Sequence, residues 1–147
     1  MALQRIILWT AALVLLGAAT VGCSEQRVGD VSGDPGPQVI VRLEGARAFD
    51  KALADAGDAL VVVDFYADWC GPCRELNPVL EEIARKHADK ATFYKVNVDR
   101  NRDLARAHRV SGIPHVMFIR RGEAVHSIIG VQPSDAYLRA IGRFAGP

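Results

Sequence analysis

Leu60-Val61-Val62-Val63-Asp64-Phe65-Tyr66-Ala67-Asp68-Trp69-Cys70-Gly71-Pro72-Cys73 is the stretch from which both the architecture and the chemistry of this chain can be read. Its first seven residues are apolar almost without a break and rich in β-branched side chains, which predicts a strand buried on both faces. From Gly71 onward the period changes. Leu76, Val79, Leu80, Ile83 and Ala84 recur on one helical face, with Glu75, Glu81, Glu82, Arg85 and Lys86 on the other. A strand running straight into an amphipathic helix leaves two cysteines, two residues apart, at the junction. Such a pair can close a small disulfide and reopen it, which makes it a two-electron redox centre.

The same periodicities organise the rest of the chain. Val39 to Leu43 reads as a short strand, and Phe49, Leu53 and Ala56 recur at helical spacing, predicting a helix over Ala46–Ala56 that stops at Gly57. Beyond the amphipathic helix, in which Pro78 predicts a kink, Thr92 to Val98 reads as a strand and Arg102 to His108 as a short helix. Val116 to Ile119 and Val125 to Ile129 form a hairpin across Arg120-Arg121-Gly122-Glu123. A last helix begins after Pro133 with Ser134 as cap and buries Tyr137, Leu138, Ile141 and Phe144. The order βαβαβαββα implies an α/β fold with a mixed central sheet and helices on both faces.

At 147 residues the chain holds one domain with something added. The first 22 residues contain one charge, Arg5, followed by an apolar run from Ile6 to Leu16 and the small residues Gly17, Ala18 and Ala19. A basic start, a short apolar centre and a small-residue end describe a signal peptide over residues 1–22; a retained signal anchor is the competing reading. Thr20-Val21-Gly22-Cys23 resembles the lipobox of bacterial lipoproteins, in which the cysteine is lipidated and becomes the first residue. Thr20 departs from that pattern, where leucine is usual, and cleavage near Ala19 would instead release a soluble protein. Three cysteines in an exported chain leave one outside the pair, and a lipid on Cys23 accounts for it. Residues 23–38 are rich in Gly, Pro, Ser and Asp and read as a tether, with a typical reach of roughly 20 Å. The domain itself is expected over residues 39–147. Once residues 1–22 are set aside, 17 basic residues face 17 acidic ones, so no basic face argues for nucleic acid.

Several of these segments together resemble the thioredoxin family. Val63 to Cys73 looks like its active-site stretch nearly in full, Gly112-Ile113-Pro114 like its cis-proline loop, and Lys95-Val96-Asn97-Val98-Asp99 like its third-strand signature. Pro78 falls where members kink the active-site helix, and Gly130 where a glycine borders the substrate groove. The resemblance runs from about Val39 to Phe144, and it implies a thioredoxin fold and a thiol–disulfide oxidoreductase without a cofactor or metal, the disulfide itself carrying the electrons.

Residue by residue, Cys70 at the helix start is the expected nucleophile, because unpaired N–H groups and the helix dipole favour its thiolate. Its exposure is expected to exceed that of Cys73, which would resolve the mixed disulfide. Gly71 and Pro72 complete the tight junction, Pro72 being tolerated where the first turn has no donor to lose. A structural bridge or half a zinc site is the alternative for the pair, but zinc needs further soft ligands and the chain has no second cysteine pair. Asp64 is a carboxylate in an apolar strand: buried, its pKa should rise, and it would then suit proton transfer with Cys73. The alternative is a wet strand end. The resemblance implies the proton-transfer role, with Lys95 as the partner of that carboxylate. It also implies a cis bond between Ile113 and Pro114, with the backbone there pairing with an incoming chain. Trp69 is expected to shield the site and offer apolar contact. His87 and His108 fall near helix ends and His126 in an outer strand; His115 follows the proline, where thioredoxins more often carry threonine.

The resulting expectation is an extracytoplasmic protein disulfide reductase, monomeric and tethered to the periplasmic face of a bacterial membrane. Its partners would be cysteine-containing exported proteins and a membrane electron donor or acceptor. An oxidase or isomerase of the same fold, or a non-catalytic binding module, are the alternatives.

Overall fold

The computed structural model describes residues 39–146. The expectations for the signal peptide, the lipidated Cys23 and the tether lie outside the described residues. Five strands and four helices follow in the order β1 (Ile40–Arg42), α1 (Ala46–Ala56), β2 (Leu60–Tyr66), α2 (Gly71–Lys86), β3 (Ala91–Asn97), α3 (Arg102–Ala107), β4 (His115–Arg120), β5 (Glu123–Ile129) and α4 (Ser134–Phe144). The strands form one sheet in the order β1-β3-β2-β4-β5. β1 and β2 pair parallel to β3, while β4 runs antiparallel to β2 and β5 antiparallel to β4. The sheet is therefore mixed, as the element order implied.

β2 lies in the middle and supplies both cores. Leu60 and Val62 face α2 and α4, packing with Leu76, Leu80, Ile83, Tyr137 and Ile141. Val61, Val63 and Phe65 point the other way, to Phe49 of α1 and Leu104 of α3. A strand covered on both faces has no polar side to display, which is why its sequence shows no alternation. Asp64 shares the parity of Leu60 and Val62, and so takes the α2 face.

The β4–β5 hairpin closes through Arg121 and Gly122, whose φ values of 53° and 77° are those of a two-residue type I′ turn matched to strand twist. β5 forms an edge of the sheet and is exposed along most of its length, so its sequence carries little burial pattern. Two details of α4 differ from expectation. Pro133, not Ser134, occupies the N-cap, so no side-chain cap bond forms there and Ser134 is the first residue of the helix. Leu138 is 37 % exposed while Ala140 is buried, because the face that meets the sheet is Tyr137, Ala140 and Ile141, and Leu138 lies one helical step to its side. β3 is displaced one residue toward the N-terminus of its expected span, and β1 is reduced to three residues.

Candidate active site

The site forms where β2 ends and α2 begins. Cys70 is the N-cap of α2, with Pro72 in the first turn. Its sulfur accepts a hydrogen bond from the Cys73 backbone N–H at 3.1 Å. Cys70 and Cys73 are joined by a disulfide, with their Cα atoms 5.3 Å apart. On reduction, the Cys70 sulfur remains at the positive end of a sixteen-residue helix, facing N–H groups that stabilise a thiolate. One expectation fails here: both cysteines are 4 % exposed, so Cys70 is no more open than Cys73. The bridge ties the Cys70 sulfur to its partner, and the pair packs with Ala67, Tyr66, Val98 and Ile113. Exposure passes instead to the flanks, with Trp69 at 69 % and Pro72 exposed beside it.

Behind Cys73 opens a cleft of about 280 Å³, lined among others by Asp64, Lys95, Asn77 and Arg42. Asp64 is buried and its Oδ1 has no hydrogen-bond partner. Burial pushes its pKa up from 3.8 to about 7, against a smaller opposing pull from the Lys95 charge. The wet strand end is thereby excluded. Lys95 stands directly across from Asp64 in the β2–β3 register. Its ammonium, however, bonds Asn77 Oδ1 rather than the carboxylate, and lies 5.1 Å from the Tyr66 ring centroid. Burial holds the Lys95 pKa below its ordinary value.

The third wall is the loop before β4. The Ile113–Pro114 peptide bond is cis, as the resemblance implied, and Ile113 packs against the cysteine pair. The Gly130 N–H donates to the Pro114 carbonyl at 2.8 Å. Gly130 has φ of 79°, a conformation that favours glycine. Trp69 belongs to no core; its indole N–H donates to Asp99 Oδ2 at 2.8 Å. Asp99 is held in turn by its backbone N–H, which donates to Asn97 Oδ1.

The histidines make no hydrogen bond to either sulfur among the described residues. His87 and His108 end α2 and α3, and His108 packs 4.7 Å from the Phe49 ring. His126 lies between Phe118 and Phe144. His115 is buried on the α1 side near Phe65, with neither ring nitrogen partnered, and burial lowers its pKa. Among the described residues no group of three or more His, Cys, Asp or Glu side chains could hold a metal ion.

The thioredoxin family pattern matches residues 40–143. The chain belongs to the thioredoxin family. It is 42 % identical over 96 residues to Thioredoxin-2 of Saccharomyces cerevisiae, covering 65 % of this chain and 90 % of the yeast protein. It is 47 % identical over 87 residues to the thioredoxin of Alicyclobacillus acidocaldarius, covering 59 % and 81 %. Among solved structures it resembles a mutant thioredoxin of Halobacterium salinarum, with TM-score 0.67 and 34 % identity over 75 % of this chain and 95 % of that one. The thioredoxin of Fasciola hepatica gives TM-score 0.68 and 32 % identity over 71 % and 99 %. With its Cys70–Cys73 disulfide at the tip of α2, the chain is a thiol–disulfide oxidoreductase of the thioredoxin type.

Of the residues named from the sequence, Asp64 and Lys95 line the cleft beside Cys73, Ile113 packs against the cysteine pair, and Trp69 adjoins Cys70 with its indole turned to Asp99. Asn77 and Arg42 were not named from the sequence, and Asp99 was named only as the end of the third-strand signature, without its bond to Trp69. Asn77 was within reach, since it lies four residues after Cys73 and so shares its helical face. Arg42 was not, because only the pairing of β1 with β3 brings it to the cleft.

Proposed function

We propose that this protein is an exported protein disulfide reductase, tethered to the periplasmic face of a bacterial membrane through a lipid on Cys23. The observation that carries the chemistry is the cleft that Cys73 and Asp64 share, with Cys73 bonded to Cys70. The Cys70 thiolate attacks one sulfur of a partner's cystine, forming a mixed disulfide and expelling the other partner sulfur as a thiolate, which takes up a proton. Cys73 then gives its proton to Asp64, directly or through water, and attacks the Cys70 sulfur. The second partner thiolate leaves and is protonated. The partner gains two electrons and two protons, and the Cys70–Cys73 bridge is restored. A carboxylate with pKa about 7 is matched to that transfer near neutral pH.

Substrates on this reading are cysteine-containing extracytoplasmic proteins. Reduction in an oxidising compartment calls for a membrane electron donor to reopen the bridge. The direction rests on Gly71-Pro72, which resembles the reducing members of the family, whose potentials lie roughly 150 mV, or about 7 kcal/mol for two electrons, below those of the strong oxidants. Export rests on the charge and hydropathy pattern of residues 1–22, and the anchor on Gly22-Cys23.

Two measurements test this. Reduction of insulin by dithiothreitol should be accelerated by the wild type and not by Cys70→Ser, while Cys73→Ser should accumulate the mixed disulfide. Equilibration of Cys70–Cys73 with glutathione should leave the bridge strongly favoured over the dithiol. Binding of insulin without turnover would make the protein a binding module, and an equilibrium near that of strong oxidants would make it an oxidase.

A further inference from the structure

We propose that Asn77 is a positioning residue of this site: its side-chain amide holds the Lys95 ammonium off Asp64 and so keeps that carboxyl free to exchange a proton with Cys73. This rests on the reading of Asp64 as the proton acceptor.

Register alone would pair the two charges. Asp64 and Lys95 are partners on adjacent parallel strands, where same-face side chains start about 5 Å apart. A four-carbon stem spans that gap with ease, and the cleft they both line offers the space. Instead the ammonium is drawn to α2. Lys95 Nζ donates to Asn77 Oδ1, and Asn77 Nδ2 donates to Glu81 Oε1 at 2.7 Å. The two ends fix the direction of this relay. An ammonium can only donate and a carboxylate can only accept, so the amide between them has one orientation that satisfies both. Asp64 Oδ1 is meanwhile left without a partner.

The other charged or titratable groups around the pair come from several elements. Arg42 of β1, Asp68 of the β2–α2 connection and Arg74 of α2 line the cleft with them. Glu81 of α2 acts on Lys95, and Tyr137 of α4 feels Asp64. Arg74 is itself engaged with the Asp68 carbonyl. Of the cations, Lys95 is the one opposite Asp64 in the sheet, and Asn77 is the side chain that binds it.

The consequence follows from the strength of a contact ion pair. An opposite charge moved into direct contact with a carboxylate lowers its pKa by about 1–3 units. Cutting the tie at Asn77 therefore makes Asp64 a weaker proton acceptor, although the hydrogen bonds of the Asn77 side chain go to Lys95 and Glu81 and not to Asp64. Alanine at this position is compatible with α2, being the strongest helix former, so loss of fold is not the expected result.

The experiment is a pH titration of the Asp64 carboxyl ¹³C resonance in the oxidised full chain. It is run on the wild type, Asn77→Ala, Lys95→Met and the double variant. Asn77→Ala should lower the Asp64 midpoint by about one pH unit, Lys95→Met should raise it, and the double variant should match Lys95→Met alone. An unchanged midpoint in Asn77→Ala overturns the proposal, as does an equal drop in the absence of Lys95. The reading beneath it is tested separately by the pH profile of mixed-disulfide resolution in Asp64→Asn. If that profile matches wild type, Asp64 is not the proton acceptor, whatever the carboxyl titration shows.

Discussion

Asp64 meets two demands that conflict. The core asks for an uncharged side chain, and the resolving step asks for a base. Because burial raises its pKa from 3.8 to about 7, the folded chain keeps a proton that the unfolded chain has already lost between those values. Stability from this group is therefore full below about pH 4, falls as the pH rises toward 7, and is level above it, a total of about 4 kcal/mol. Asp64→Asn should accordingly equal the wild type near pH 4 and exceed it by up to about 4 kcal/mol at pH 8, measured by urea unfolding at both pH values. A difference that does not vary with pH would mean that Asp64 does not titrate in this range. His115 works in the opposite sense. Its pKa is lowered by burial, so what it contributes as a neutral ring is present above its unfolded value of 6.5 and lost as the pH falls. Comparing variants at Asp64 alone keeps the two effects apart. The residue types at both positions were visible in the sequence; whether each was buried was not, since that depends on which helices cover the end of β2 and the start of β4.

At the scale of elements, local signals sufficed wherever a segment's own pattern sets its structure. α1 and β2 occupy their expected spans, and α2 starts at Gly71. In each case the apolar period, the flanking glycine or the cysteine–proline junction lies within the segment itself. The hairpin is equally local: Arg121 and Gly122 both adopt positive φ, and the glycine carries that conformation without cost. A Cβ on Gly122 would meet no atom within 4 Å, so Gly122→Ala isolates the backbone term. It should lower stability by about 1–2 kcal/mol in urea unfolding while leaving insulin reduction unchanged, because the turn sits at the end of β4 away from Pro114. Loss of activity with unaltered stability would instead tie the hairpin tip to function. The elements that departed from expectation are those whose limits or faces neighbours decide. Leu138 has the hydropathy of a core residue, yet the smaller Ala140 holds the inward position on α4 because the face is selected by the sheet beneath it.

For the whole molecule, the proposed lipid on Cys23 would hold an oxidoreductase domain at a membrane. Cells given radioactive fatty acid should label the wild type and not Cys23→Ser; label in neither would favour a soluble or signal-anchored form. Within the domain, the sequence by itself determined the order and kind of the elements, the redox pair and the loop that faces it. Those features are written in periodicity and in contiguous motifs, which act over a few residues. Only the tertiary structure decided that Lys95 turns from Asp64 to Asn77, that Trp69 is pinned to Asp99, and that Cys70 is as enclosed as Cys73. Each of these depends on strand register and on helices docking from other parts of the chain, and a hydrogen bond or a desolvated charge exists only once those distant groups have been brought together.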